Sequence, residues 1–388
     1  MTRPRSRLPH RSGVVVVGGG VIGTSIVFHL AEAGVPDVVL VERDELGAGS
    51  TSKAAGGVRA QFSDALNIQL GARSLRAFAD FGARPGREID FRRVGYLFLL
   101  SRPEDVAAFE RSIALQNRLG VPSRLIDPGE ARRLSPPIDT AGLLAAAFSP
   151  DDGLATPEAV VQGYAAGARR HGAHIATACE LLAVRLRGET VQAVVTSKGV
   201  VETPALVCAA GAWSRRVGAM VGVDLPVTPY RRQVLLTGPM PGLPERLPMT
   251  IDFASSVYFH REGPGLLMGM SLDDEPPGFN LGRDDAWIPR LVEVLARRAP
   301  SLADVGVAGG WAGLYEVTPD HNALIGEAAR PTRLLYATGF SGHGFLQGPA
   351  VGEVVRDLFL GRRPPVDVGP LAVDRFRQAR DRPELNVV

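Results

Sequence analysis

Three glycines, Gly18-x-Gly20-x-x-Gly23, stand directly after the β-branched run Val14–Val17. They open a stretch with apolar residues at helical spacing, namely Ile22, Ile26, Leu30 and Ala33. In such a strand–turn–helix unit the first glycine permits the tight turn and the second lets a pyrophosphate approach the backbone. The third lets helix and strand pack closely. The helix N-terminus then holds phosphate through its free N–H groups. Glu42 follows Gly23 by 19 residues, at the end of the apolar run Val38–Val41. A carboxylate there can accept both hydroxyls of a ribose, which favours an unphosphorylated dinucleotide. Gly18, Gly20, Val21, Ile22, Gly23, Glu42 and Arg43 are the expected contacts of this unit.

The loop Gly47–Arg59 follows at once and is small, hydroxylated and glycine-rich. Through Gly49, Ser50, Thr51, Gly56 and Gly57 it can lie against a large flat ligand, or it is a surface loop. Tyr258 and His260 alternate with Val257 and Phe259 on a predicted strand, so both face one side. His260 could take a proton from an amine or be a satisfied structural histidine. Near the C-terminus, Gly339, Ser341, Gly342, His343, Gly344 and Phe345 form a glycine-rich loop. Ahead of a helix expected near Pro349–Leu360, such a loop can bring backbone N–H groups and a positive helix end against an electron-rich ring. No metal site is expected: His171 and His174 lack a third ligand, and Asp151-Asp152-Gly153 lacks the rest of a calcium loop.

The elements that must position these residues alternate along the chain. Helices are expected over Leu66–Phe81, Pro103–Leu119, Ala159–His171 and Trp287–Arg298, and strands over Tyr96–Leu100, Ser256–Phe259, Leu266–Met270 and Leu334–Ala337. Ile175–Arg187, Val191–Ser197 and Val200–Ala209 read as an antiparallel meander with turns at Gly188 and Lys198-Gly199. The fold class is α/β: a Rossmann-like dinucleotide domain interleaved with an antiparallel-sheet α+β domain. The expected boundaries are 12–80, 151–220 and 325–388 for the first, and 81–150 and 221–324 for the second.

The chain has 388 residues, ample for two domains, and 45% of them are hydrophobic. A net charge of +2 makes no electrostatic case for nucleic acid. Two cysteines, Cys179 and Cys208, cannot build a disulfide framework, so a reducing, cytoplasmic setting is expected. No apolar run reaches the ~18 residues of a membrane span. The Arg-rich start, Met1 to Arg11, is expected to be a short disordered arm rather than a signal segment. Only Lys53 and Lys198 among the 43 basic residues are lysines.

Four blocks together resemble the D-amino-acid oxidase-like flavoproteins, in the branch of sarcosine oxidase, glycine oxidase and dimethylglycine dehydrogenase. They are the fingerprint, Gly49–Arg59, Val207–Ser214, and the pair Trp311–Gly326 and Thr338–Gly352. The resemblance implies FAD as cofactor, with Leu181, Ala210, Gly211, Trp213 and Gly313 completing its contacts. It implies that an amino acid or N-methylated amine gives up a hydride to flavin N5 and leaves as an imine. Arg59 matches the family's carboxylate-binding arginine and Tyr315 a tyrosine lining the substrate site. Gly313 stands where monomeric sarcosine oxidase has its flavin-linking cysteine, so the FAD is expected to be non-covalent. Leu267 and Leu346 stand where sarcosine oxidases carry lysines, the first of which speeds reaction with oxygen. The expected function is therefore FAD-dependent dehydrogenation of a secondary or N-methylated amino acid, sarcosine-like or proline-like, with an acceptor left open. Two alternatives share the motifs: a β-type subunit of a multi-subunit amine, proline or opine dehydrogenase with partner chains, and a flavin-binding assembly factor without turnover.

Overall fold

The computed structural model describes residues 8–380 and 382–387. The part of the expected N-terminal arm before Leu8 lies outside the described residues. Within them, Arg11 pairs with Glu202 at 2.9 Å.

Two sheets dominate. The first runs in the order Leu324–Glu327, Leu334–Thr338, Leu206–Cys208, Val14–Val17, Val38–Val41, His174–Ala176. All neighbours pair in parallel except the edge strand Leu324–Glu327. Every residue of Val14–Val17 and Val38–Val41 is buried, as a parallel strand covered on both faces requires. The two-residue period divides them. Val14, Val16 and Leu40 pack under the helices, with Ile26, Phe28 and Val351. Val15, Val17 and Val39 pack under a three-stranded antiparallel sheet, with Leu181, Val194 and Val201. The helices Val21–Glu32 and Gly344–Phe359 cross closely: a β-carbon on Gly348 would stand 2.8 Å from Val21, and one on Gly352 would collide with Ser25 Oγ.

The second sheet has eight strands, in the order Val307–Val317, Thr228–Thr237, Gly265–Met270, Val257–Glu262, Met249–Asp252, Tyr96–Leu100, Ala145–Ser149, Arg124–Ile126. It is antiparallel apart from Met249–Asp252 beside Tyr96–Leu100. One face packs Leu97, Leu235, Phe259 and Met268 against Leu291 and Leu295 of the helix Ile288–Arg298. Alternation sends Tyr96, Ile251, Tyr258, Val234, Arg232 and Tyr315 to the other face. The first sheet takes its strands from three separated chain segments and the second from two, so the layers are interleaved.

Three expectations need correction. The segment Ile175–Arg187 is two strands, not one: His174–Ala176 joins the parallel sheet and Leu181–Arg187 joins the small one. The break falls at Ala178, whose φ of 48° turns the chain. Val200–Ala209 is likewise split, with Gly199–Glu202 in the meander and Leu206–Cys208 in the parallel sheet. The last long helix begins at Gly344, not near Pro349, and the proline sits inside it. Burial of its Phe345–Gly352 face against the Val21–Glu32 helix outweighs proline's missing N–H.

Candidate functional site

A cleft of about 320 Å³ runs between the C-terminal edge of the parallel sheet and the aromatic face of the eight-stranded sheet. The glycine turn forms one wall. Gly18 has φ +112°, and a β-carbon there would collide with the carbonyl oxygen of Ala209. One on Gly23 would collide with the carbonyl oxygen of Gly18, so Gly23 serves helix–strand packing and does not line the cleft. Around Gly20 the nearest atom is Thr51 Oγ1 at 3.1 Å, which leaves its surface open to the cleft. The helix beginning at Val21 has no cap from Gly20, and among the described residues only its Val21 N–H is taken by a side chain, Thr51 Oγ1 at 3.1 Å. Its free N–H groups suit a diphosphate.

Glu42 is held at the cleft edge by two backbone donors. Gly19 N–H donates to Oε2 at 2.6 Å and Asp44 N–H donates to Oε1 at 2.8 Å. Each oxygen keeps acceptor capacity toward the cleft. Arg43 lies 3.8 Å from the centroid of Trp213, which stacks on Phe279. Leu181, Ala210 and Gly211 line the same end.

The loop after the second strand packs along Val307–Val317. Ser50 Oγ donates to the Leu314 carbonyl at 2.7 Å, and Trp311 Nε1 donates to the Lys53 carbonyl at 2.9 Å. The Lys53 side chain covers Gly313 closely enough that a β-carbon there would strike it. Gly49, Ser50, Thr51, Gly56 and Gly57 all line the cleft, and Gly57 lies under the hydroxyl of Tyr96.

The C-terminal loop closes the far side. Gly342, at φ +95°, lies flat under the Tyr315 ring, where any β-carbon would collide with it. His343 is the N-cap residue of the helix from Gly344 and makes no side-chain cap, so a second open helix N-terminus meets the cleft beside Gly344 and Phe345. Gly339 and Ser341 sit behind this wall. Gly339 packs on Thr318, and Ser341 Oγ accepts from Thr318 N–H at 3.2 Å.

The sheet face supplies Tyr315, Tyr258, Tyr96, Met249, Ile251, Val234 and Arg232. Burial raises the phenol pKa of Tyr258, Tyr96 and Tyr315 above the ordinary value, so all three stay protonated. Glu316 is a half-buried carboxyl at the cleft, accepting from Thr338 Oγ1 at 3.1 Å, and desolvation pushes its pKa up to about 7. Arg59 lines the cleft but is 4% exposed, and its Nη1 and Nη2 have protein acceptors. Nη1 donates to the Gln61 carbonyl, and Nη2 donates to the Asn386 carbonyl at 2.7 Å. His260 lies on the Tyr258 face but outside the cleft lining, its Nδ1 at 2.9 Å from the Arg261 carbonyl and its pKa lowered by burial to about 4.

Residues singled out by their spacing thus form two walls of one cleft, while Gly23, Gly339 and Ser341 stand behind it. Spacing missed Tyr96, Met249, Ile251, Arg232 and Glu316, which reach the cleft only through sheet register. Glu316 alone left a signal, as a carboxyl inside the run Gly313–Val317.

Residues 13–358 match the model of a family described as FAD dependent oxidoreductase (DAO). The mitochondrial dimethylglycine dehydrogenase of Mus musculus is 30% identical over 386 residues, which cover 94% of this chain and 44% of that one. The chain therefore spans under half the length of that relative. FAD-dependent oxidoreductase domain-containing protein 1 of Bos taurus is 32% identical over 95% of this chain and 85% of its own length. Among solved structures, L-proline dehydrogenase from P. horikoshii superposes with a TM-score of 0.91 at 32% identity, covering 97% of this chain and 100% of that one.

Proposed function

The chain belongs to the DAO family of FAD-dependent oxidoreductases, and on that premise we propose that it oxidises a secondary or N-methylated amino acid to an imine. Bound FAD supplies the two-electron acceptor that takes the hydride from the carbon next to nitrogen. The residues present fit that cofactor. Gly18 and Gly20 with the N-terminus of the Val21 helix would hold the diphosphate, Glu42 the ribose, and the loops Gly49–Gly57 and Gly342–Phe345 the ring.

One observation carries the substrate side: the Tyr315 ring lies directly against Gly342, one residue before the N-cap of the second open helix. The aromatic wall and the cofactor loop therefore meet, and a small amine held by that wall lies against the ring. Tyr258 and Tyr315 stay protonated, so they donate hydrogen bonds and take no proton. His343 is already in contact with Arg59, and His260 is outside the cleft. None of these four side chains takes the substrate ammonium's proton, which leaves water and the cleft carboxyl Glu316 as its acceptors. The cationic side chains Arg59 and Arg232 at the cleft favour loss of that proton by disfavouring a second positive charge.

The likeness to an L-proline dehydrogenase supports a cyclic secondary amino acid, and the dimethylglycine dehydrogenase an N-methylated one. Leu267 supports an acceptor other than oxygen. Anaerobic mixing of the holoenzyme with a panel of N-methyl and cyclic amino acids tests the proposal. Bleaching of the flavin by at least one of them is the expected result, and a spectrum unchanged by all of them would defeat it.

A further inference from the structure

Arg231 and Arg232 are neighbours on the strand Thr228–Thr237, and alternation sends them to opposite faces. Arg231 is fully paired. Its Nε donates to Glu275 at 2.8 Å and its Nη1 to Asp284 at 2.6 Å. Arg232 lines the cleft and makes no ion pair among the described residues. Its one hydrogen bond runs from Nη1 to the Arg231 carbonyl at 3.0 Å, and its buried Nε has no acceptor. A buried donor left unpaired is destabilising. The guanidinium lines the cleft with no carboxylate partner, and the N–H groups it does not give to the Arg231 carbonyl are left for an anionic ligand.

The surroundings match a small carboxylate. The guanidinium lies 5.4 Å from the Tyr315 ring centroid and 6.0 Å from that of Tyr230. Its charge bears on the hydroxyls of both Tyr315 and Tyr258. Val234 on the same strand pairs with Gly269, and the Tyr258 ring folds over Gly269, so its hydroxyl leans toward the Arg232 strand. Arg232 is the only cation that the eight-stranded sheet contributes to the cleft among the described residues. Arg59 also lines the cleft without an ion pair, but its Nη1 and Nη2 already have acceptors. It is buried, lies 4.2 Å from the Phe62 ring centroid, donates to two backbone carbonyls, and feels the carboxylates Glu384 and Asp152.

We infer that Arg232 is the residue that binds the substrate carboxylate, through the guanidinium N–H groups that face the cleft, with the amine end lying toward Tyr258. This assignment rests on the amino-acid reading above and specifies which side chain selects amino acids over simple amines.

The test uses the FAD-loaded protein. Pyrrole-2-carboxylate and acetate are titrated in and followed by the flavin difference spectrum, with no turnover required. Wild type should bind both. Arg232→Gln should weaken each roughly 10–100-fold, the effect of losing a charge-assisted pair. Arg232→Lys, which keeps the charge but loses the fork, should recover only part of it. In flavin reduction, Arg232→Gln should raise KM for proline at least about tenfold more than KM for pyrrolidine, which has no carboxylate. Carboxylate affinity unchanged in Arg232→Gln, or a wild type that binds neither probe, would overturn the assignment. A wild type that binds carboxylates through Arg232 yet is bleached by no amino acid defeats the proposed oxidation and leaves the assignment standing.

Discussion

Nη2 of Arg59 lies 3.2 Å from Nε2 of His343, although 284 residues separate them in the chain. An arginine can only donate, so Nε2 is the acceptor and the imidazole proton sits on Nδ1. Burial, and then the charge of Arg59, lower the His343 pKa well below its ordinary value and keep the ring neutral. The pair ties the Gly47–Arg59 loop to the loop that opens the second cleft helix, and the Asn386 carbonyl closes it from the C-terminal end.

Arg59→Met is expected to act on stability. It leaves the carbonyls of Gln61 and Asn386 without their donor, at about 1–3 kcal/mol each. The denaturation midpoint should fall and proteolysis near residues 382–387 should accelerate, with carboxylate binding retained. Normal stability with carboxylate binding abolished would return the clamp to Arg59, as the family resemblance implies.

Glu42→Gln should weaken FAD binding roughly 10–150-fold, the loss of one charge-assisted hydrogen bond of about 1.5–3 kcal/mol. Titration of apoprotein with FAD measures it. An unchanged affinity would mean that the carboxylate serves only the N–H groups of Gly19 and Asp44.

The FAD should be held without a covalent bond, because Gly313 offers no side chain, Cys208 does not line the cleft, and Cys179 lines it beside Leu181, at the Glu42 end. Acid precipitation should leave a yellow supernatant. Flavin retained in the washed pellet would contradict this.

Glu316 predicts a pH dependence. Its folded pKa of about 7 lies above the ordinary 4.5, so the folded protein binds the proton more tightly than the unfolded chain. Stability from this group is complete below about 4.5 and is lost as pH rises toward about 7. Glu316→Gln cannot ionise, so its Tm relative to wild type should climb across that window. A gap that stays flat with pH would show that the carboxyl is not held protonated.

Oxygen should be a poor acceptor. Superoxide formation is helped by a nearby ammonium, whose attraction at ~4 Å and an effective dielectric near 20 is about 4 kcal/mol. Losing half of it slows the step roughly thirtyfold. Leu267 is buried and apolar on the Tyr258 face of the sheet, and Lys198 is engaged with the Thr177 carbonyl at 2.6 Å. Stopped-flow mixing with oxygen should therefore show slow reoxidation, accelerated in Leu267→Lys. Fast reoxidation of the unmodified protein would assign the role to Lys53, which does line the cleft.

The dinucleotide half was written locally. Gly18, Gly20, Gly23 and Glu42 lie within one strand–turn–helix–strand unit, whose spacing alone brings Gly18, Gly20 and Glu42 to one cleft edge and Gly23 to the buried side of the helix. The alternation of Tyr258 with Phe259 likewise needed only the two-residue period of a strand. The substrate half was different. Whether Arg231 or Arg232 meets the cleft depends on the register Arg232↔Gly313 and Tyr230↔Tyr315, set between strands about 80 residues apart. That Arg59 is spent on the Asn386 carbonyl depends on where the C-terminal segment lies. The start of the last helix at Gly344 depends on packing against Val21–Glu32, which overrides proline. Local spacing determines what a turn can hold, and only the tertiary structure decides which of two identical side chains is left with a donor to spare.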